Sequence, residues 1–197
     1  MALIPCTDPS AADWLTGSPL PWWQLVTFGP AGFAAYARLR FIPDPAYPGQ
    51  EESDVEVDER HPSDQAQLAA VLEVLAAHTT TPDDWYVAHW DGWGPQAFPS
   101  SVWHAPRVSV PNRDYILRRG AAADLTSAAG GWPDQPDLSP LHPAFVWPAD
   151  RAWCVTVDVD PHWAGIGADP AALDELLVAT DLDVTPADPG EEQPHYW

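Results

Sequence analysis

Apolar and polar positions alternate along this chain with two periods, and the period decides which element each stretch predicts. Trp22-Trp23-Gln24-Leu25-Val26-Thr27-Phe28 predicts a strand, Gly29-Pro30-Ala31-Gly32 a turn, and Tyr36 to Ile42 a second strand with Arg38 and Arg40 spaced by two, together a hairpin. Leu68, Val71, Leu72 and Leu75 recur at i, i+3, i+4 and i+7, which predicts an amphipathic helix from Asp64 to His78. Ser63 supplies its N-cap, and His78 favours the negative end of its dipole. Trp85 to Trp90 reads as a buried strand running into the Asp91-Gly92-Trp93-Gly94-Pro95 turn, and Arg107 to Val110 and Tyr115 to Arg118 as two further short strands. A short helix is expected from Gly120 to Ala129 and a Pro-punctuated loop from Gly130 to Pro148.

The plainest alternation follows. Trp153, Val155, Val157 and Val159 fall on one side of a predicted strand, and Cys154, Thr156, Asp158 and Asp160 on the other. Asp169 as N-cap and Pro170 at the first helical position then open a helix carrying Leu173, Leu176 and Leu177. These elements predict an α+β fold, a mostly antiparallel sheet with two main helices, near 64–78 and 170–179, packed on one face. One domain is expected over 1–186, with an irregular Pro-rich entry segment and an acidic loop at about 44–63. A tail at 187–197 follows, whose Tyr196 and Trp197 can dock on the body.

Composition narrows the function. The chain of 197 residues carries 29 Asp and Glu against 8 basic residues, a formal charge of −21, and every basic residue is Arg. Without lysine there is no P-loop lysine, no Schiff base and no Ser-Lys dyad. The charge argues against nucleic acid and anionic membranes, which need a basic face. It is also uneven. Eight acids lie between Asp44 and Asp64 beside a single Arg60, and ten follow Arg151, whereas Arg107, Arg113, Arg118 and Arg119 form a basic middle expected to pair internally. The missing lysine, with abundant Ala, Pro, Asp and Arg, reads as the composition of a GC-rich genome. The 24 Pro and 12 Trp suit proline-rich loops around an aromatic core. Cys6 and Cys154 belong to no Cys-x-x-Cys pair and no secretory or membrane-spanning segment is visible, so a cytoplasmic location with reduced thiols is expected.

Three constellations carry candidate chemistry. Asp158 and Asp160 on one strand face, with His162 turning back past Pro161, offer two carboxylates and an imidazole to a divalent metal, the basis of a metal-dependent hydrolase. His89, Trp90, Asp91 and Trp93 around a glycine turn offer aromatic walls for a small ligand or a cation, or else a hydrophobic corner of the core in which His89 reads as a satisfied core histidine. Arg151, between Trp147 and Trp153, is expected to stack on tryptophan and pair with a carboxylate, with an anion-binding role second. No Gly-x-Ser-x-Gly elbow supports a serine nucleophile, and Gly165-Ile166-Gly167 is a lone Gly-x-Gly in acidic surroundings.

Several stretches resemble a family of uncharacterised bacterial proteins from GC-rich genomes: Gly29 to Arg38, His78-Thr79-Thr80-Thr81-Pro82, Trp90-Asp91-Gly92-Trp93-Gly94, Arg113-Asp114-Tyr115, and above all Trp147-Pro148-Ala149-Asp150-Arg151-Ala152-Trp153-Cys154. The resemblance spans most of the chain and implies no activity, substrate or cofactor. The acidic loop and Pro161-His162-Trp163 depart from its pattern. The charge makes a binding protein the first expectation rather than an enzyme: an acidic surface that docks a basic protein, as an immunity protein docks a nuclease toxin. Metal-dependent hydrolysis at Asp158, Asp160 and His162, and small-ligand binding at Trp90 and Trp93, are the alternatives.

Overall fold

The computed structural model describes residues 3–58, 60–126, 132, 138, 139 and 141–197. Among these, nine strands form one antiparallel sheet: β1 (Ile4–Pro5), β2 (Ala35–Arg40), β3 (Trp85–Trp90), β4 (Arg107–Val110), β5 (Arg113–Gly120), β6 (Phe145–Pro148), β7 (Cys154–Thr156), β8 (Trp163–Ala168) and β9 (Val184–Pro186). Their order is β1-β5-β3-β6-β7-β8-β2-β9, with β4 also paired to β5. The helices are α1 (Asp13–Thr16), α2 (Trp22–Phe28), α3 (Asp64–Leu75), α4 (Ser100–Trp103), α5 (Ala122–Thr126) and α6 (Pro170–Val178). None of the described helices is long and apolar enough to cross a membrane.

Pairing sets one row of residues across the sheet: Val87 opposite Val146, then Val155, Ile166 and Ala37. These residues share a buried cluster with Leu68, Val71, Leu72 and Leu75 of α3 and with Leu173 and Leu176 of α6. Strand residues of the opposite parity, Ala88, Leu117, Phe145, Trp147 and Cys154, join a second cluster with Leu15 of α1 and Leu25 and Val26 of α2. Helices therefore contribute to both clusters, and the sheet is an α+β core with apolar residues on alternate sides of its strands.

Three expectations are corrected. Trp22–Phe28 is a helix, opened by Pro21 and ended at Gly29 with φ 79°, because burying Leu25, Val26 and Phe28 together outweighs the β-propensity of Trp and Val. Phe145–Pro148, assigned to a loop on account of its prolines, is a buried strand. The predicted strand over 153–160 stops at Thr156, and Trp163–Ala168, buried at every position and so without alternation, is an interior strand between β7 and β2. The lone Gly-x-Gly serves packing there. A Cβ on Gly165 would meet the Thr27 carbonyl oxygen at 1.9 Å and one on Gly167 the Phe33 ring at 2.4 Å, so their absence lets α2 and the chain after it close on the sheet. The helix expected at 120–129 covers Ala122–Thr126, with 127–129 outside the described residues, as is most of the loop over 130–140. Ser63 caps α3 through Ala66 N–H, and Asp169 caps α6 through Ala171 N–H, as predicted. The tail docks: Tyr196 donates to the Pro43 carbonyl and Trp197 N–H to that of Gln50.

Candidate functional site

Antiparallel pairing brings the ends of β2, β3 and β7 and the starts of β6 and β8 to one end of the sheet. A cavity of about 230 Å³ opens there, lined by Trp90 at the end of β3 and Trp93 in the turn after it, by Asp158, Asp160 and His162 from the β7–β8 connection, and by Glu52 and Asp64 from the acidic loop and the start of α3. Two constellations seventy residues apart in sequence, proposed separately as a ligand corner and a metal site, thus face one space.

The tryptophan wall depends on glycine. The ring of Trp90 lies over the turn where a Cβ on Gly92 would come within 2.1 Å of it, and Gly94 holds φ 81°. Trp90 and Trp93 meet edge to face, centroids 5.9 Å apart, and Trp93 remains 42% exposed. Arg113, at the start of β5, enters beside them: its guanidinium lies 4.9 Å from the Trp90 ring centroid and 5.6 Å from that of Trp22 on α2. The same guanidinium reaches Asp158 at 3.6 Å and Asp160 at 4.0 Å. Asp158 is 11% exposed and Asp160 85%. Burial pushes the Asp158 carboxyl above its ordinary range, against the opposing pull of Val159 N–H and Arg113.

His162 pairs with neither of these aspartates. Its Nε2 meets Asp44 Oδ1 at 3.0 Å, and its ring packs on Tyr196. Asp44 in turn takes a bidentate pair from the buried Arg38, at 2.8 and 3.1 Å, and a third contact from Arg40. Burial acts to raise the Asp44 pKa, yet Arg38, His162 and Arg40 hold it down at about 2, while burial lowers that of His162. The expected metal site is therefore corrected. Its imidazole is committed to Asp44 and Asp158 to Arg113, and no group of three His, Cys, Asp or Glu among the described residues is arranged to hold an ion.

The remaining candidates are dispersed. His89, on β3 beside Trp90, points to the other side of the sheet and is 2% exposed; its Nε2 lies 3.4 Å from Nη1 of Arg118 and its ring against Trp132. Burial and then the Arg118 charge depress its pKa to about 3, opposed by the backbone of His142. Asp91 pairs with Arg107 at 3.0 Å. Arg151, at φ 56°, is exposed; it stacks 5.2 Å over Trp14, not on its sequence neighbours Trp147 and Trp153, and forms no ion pair among the described residues. Its neighbour Asp150 accepts hydrogen bonds from Thr79 Oγ1 (2.8 Å), Thr80 N–H (2.6 Å) and Thr80 Oγ1 (2.7 Å), tying two of the family-like stretches together structurally. Sequence reasoning missed Arg113, Trp22, Glu52 and Asp64 as neighbours of the site, since each reads as an ordinary member of its own element.

Comparison of the chain with protein-family models, with curated proteins and with solved structures found no match.

Proposed function

We propose that this chain is a binding protein that docks a basic protein partner at the sheet end around the Trp90/Trp93 cavity. The observation that carries the reading is how the positive charge is used. Arg38, Arg40, Arg60, Arg107, Arg113 and Arg119 each pair with aspartates of the same chain. Arg38, Arg107, Arg113, Arg118, Arg119 and Arg151 lie over aromatic rings. Against 8 arginines so engaged stand 29 carboxylates, leaving a surface field that speeds encounter with a cationic partner and repels nucleic acid. Exposed Trp22, Trp93 and Val159 gather at or beside the cavity mouth, the aromatic anchors and acidic rim expected of an interface centre.

Selection of peptides from a random display library against the full chain tests this. Selected sequences should be rich in Lys and Arg, bind more weakly as salt rises, and lose about tenfold in affinity with Trp93→Ala but not with the remote, exposed Asp174→Asn. Neutral or acidic selected sequences, or equal losses in the two variants, would overturn the proposal.

A further inference from the structure

We infer that the cavity is a seat for a single alkylammonium group, the head of a lysine side chain presented by the partner, and this rests on the docking role proposed above. The structure already shows how this end of the sheet holds a cation. Arg113 is gripped by the Trp90 ring at 4.9 Å and by the carboxylates of Asp158 and Asp160 at 3.6 and 4.0 Å. That guanidinium neutralises Asp158, the most buried of these carboxylates, and leaves the cavity with three more: Asp160, almost wholly exposed, Glu52 and Asp64. Trp93 supplies a second aromatic surface, partly exposed and not covered by any arginine. His162 lines the cavity with its Nε2 held by Asp44 rather than by these carboxylates, and burial lowers its pKa against the pull of that partner.

Size and charge select the occupant. At about 230 Å³ the space falls below the ~300–1,000 Å³ of pockets that enclose drug-sized ligands, so it suits one side chain or head group. A net excess of carboxylates beside tryptophan excludes anions and gives a cation an advantage over a neutral group of equal shape. A planar guanidinium already occupies the Trp90 face, whereas the remaining carboxylates come from three separate segments: the acidic loop, the start of α3 and the β7–β8 connection. Such a spread matches the three diverging donors of an ammonium better than the flat fork of a second guanidinium.

The probe is n-butylammonium chloride, titrated into the full chain carrying 5-fluorotryptophan. Fluorine resonances are read by NMR and assigned with Trp90→Phe and Trp93→Phe. The Trp93 resonance should shift saturably with one site, n-butylguanidinium should bind about threefold or more weakly, and n-butanol and sodium chloride at the same concentrations should produce no saturable shift. Asp160→Asn, at an exposed position where the fold does not depend on the side chain, should weaken butylammonium about threefold. Equal shifts with butanol would show a merely apolar hollow, and equal shifts with sodium would show bulk screening; either overturns the inference. Basic peptides selected as above but without butylammonium binding would refute the ammonium seat while leaving the docking role intact. Butylammonium binding with no basic peptide selected would refute the docking role, leaving a receptor for small amines.

Discussion

Acid should destabilise this protein through His89 in particular. In the unfolded chain the imidazole titrates near 6.5, but in the fold it is enclosed beside the Arg118 guanidinium and takes up a proton only near 3. The unfolded state therefore binds the proton first. The stability tied to neutral His89 is complete above pH 6.5 and is lost as pH falls from there toward 3. At pH 4.5, about two units below the unfolded value, the loss is about 3 kcal/mol, a large share of the ~5–15 kcal/mol that holds a domain together. For a chain of this length that corresponds to a fall in Tm of about 5–10 °C. Urea unfolding of wild type and His89→Gln at pH 7 and pH 4.5 isolates the effect, since the amide oxygen can still accept from Arg118 but does not titrate. Asp44, held at about 2, keeps its ion pairs at pH 4.5, and whatever Asp158 and His162 contribute is common to both proteins. The wild type should lose about 2–3 kcal/mol more than the variant on acidification. Equal losses would mean that His89 is hydrated or protonated in the folded state, and the enclosed His89–Arg118 arrangement would be wrong.

Other perturbations separate the roles of neighbouring groups. Gly165→Ala drives a methyl into the Thr27 carbonyl and should cost about 3 kcal/mol or more, read as a lowered urea midpoint, whereas Gly49→Ser, at an open turn with φ 85°, should cost about 1 kcal/mol. Asp150→Ala removes the acceptor of three hydrogen bonds from Thr79 and Thr80 and should cost about 1–2 kcal/mol in thermal or urea melts. Arg38→Met leaves the Asp44 carboxylate without its bidentate partner and should cost about 3 kcal/mol, while Arg118→Met strands no carboxylate and should change stability by about 1 kcal/mol or less; the reverse order in urea melts would contradict the ion-pair assignments.

The arginines show what composition conveys and what it hides. The absence of lysine reads in the sequence as a bias of the genome. In the fold, guanidinium groups do work that an ammonium does less well: Arg113 fills the space between Trp22 and Trp90, Arg118 lies 4.3 Å over Trp132 while donating to the Leu3 carbonyl, and Arg38 forks onto Asp44 beside Trp163. Pairing within the chain, expected for the basic middle, holds for Arg107, Arg113 and Arg119, and Arg118 departs from it as a buried cation held by a carbonyl, a neutral histidine and a ring.

Local signals alone determined a good part of this protein. The period of Leu68, Val71, Leu72 and Leu75 with the Ser63 cap, the Asp169-Pro170 start, the apolar run at 85–90 and the alternation at 107–110 are properties of a few consecutive residues, so they are legible without the fold. Trp22–Phe28 and Trp163–Ala168 were not, because a short apolar run has no period to read and only its neighbours decide whether it becomes a helix on the sheet or the strand within it. The same holds for the site. Trp90 and Trp93, like Asp158, Asp160 and His162, stood out as chemistry by residue type. Only the antiparallel register, which returns β3 and β7 to the same end of the sheet, brought the two sets together around one cavity. Tertiary structure also turned His162 toward Asp44 and set the core histidine His89 beside Arg118, since a side chain's partner is chosen by whatever charge the fold places within reach.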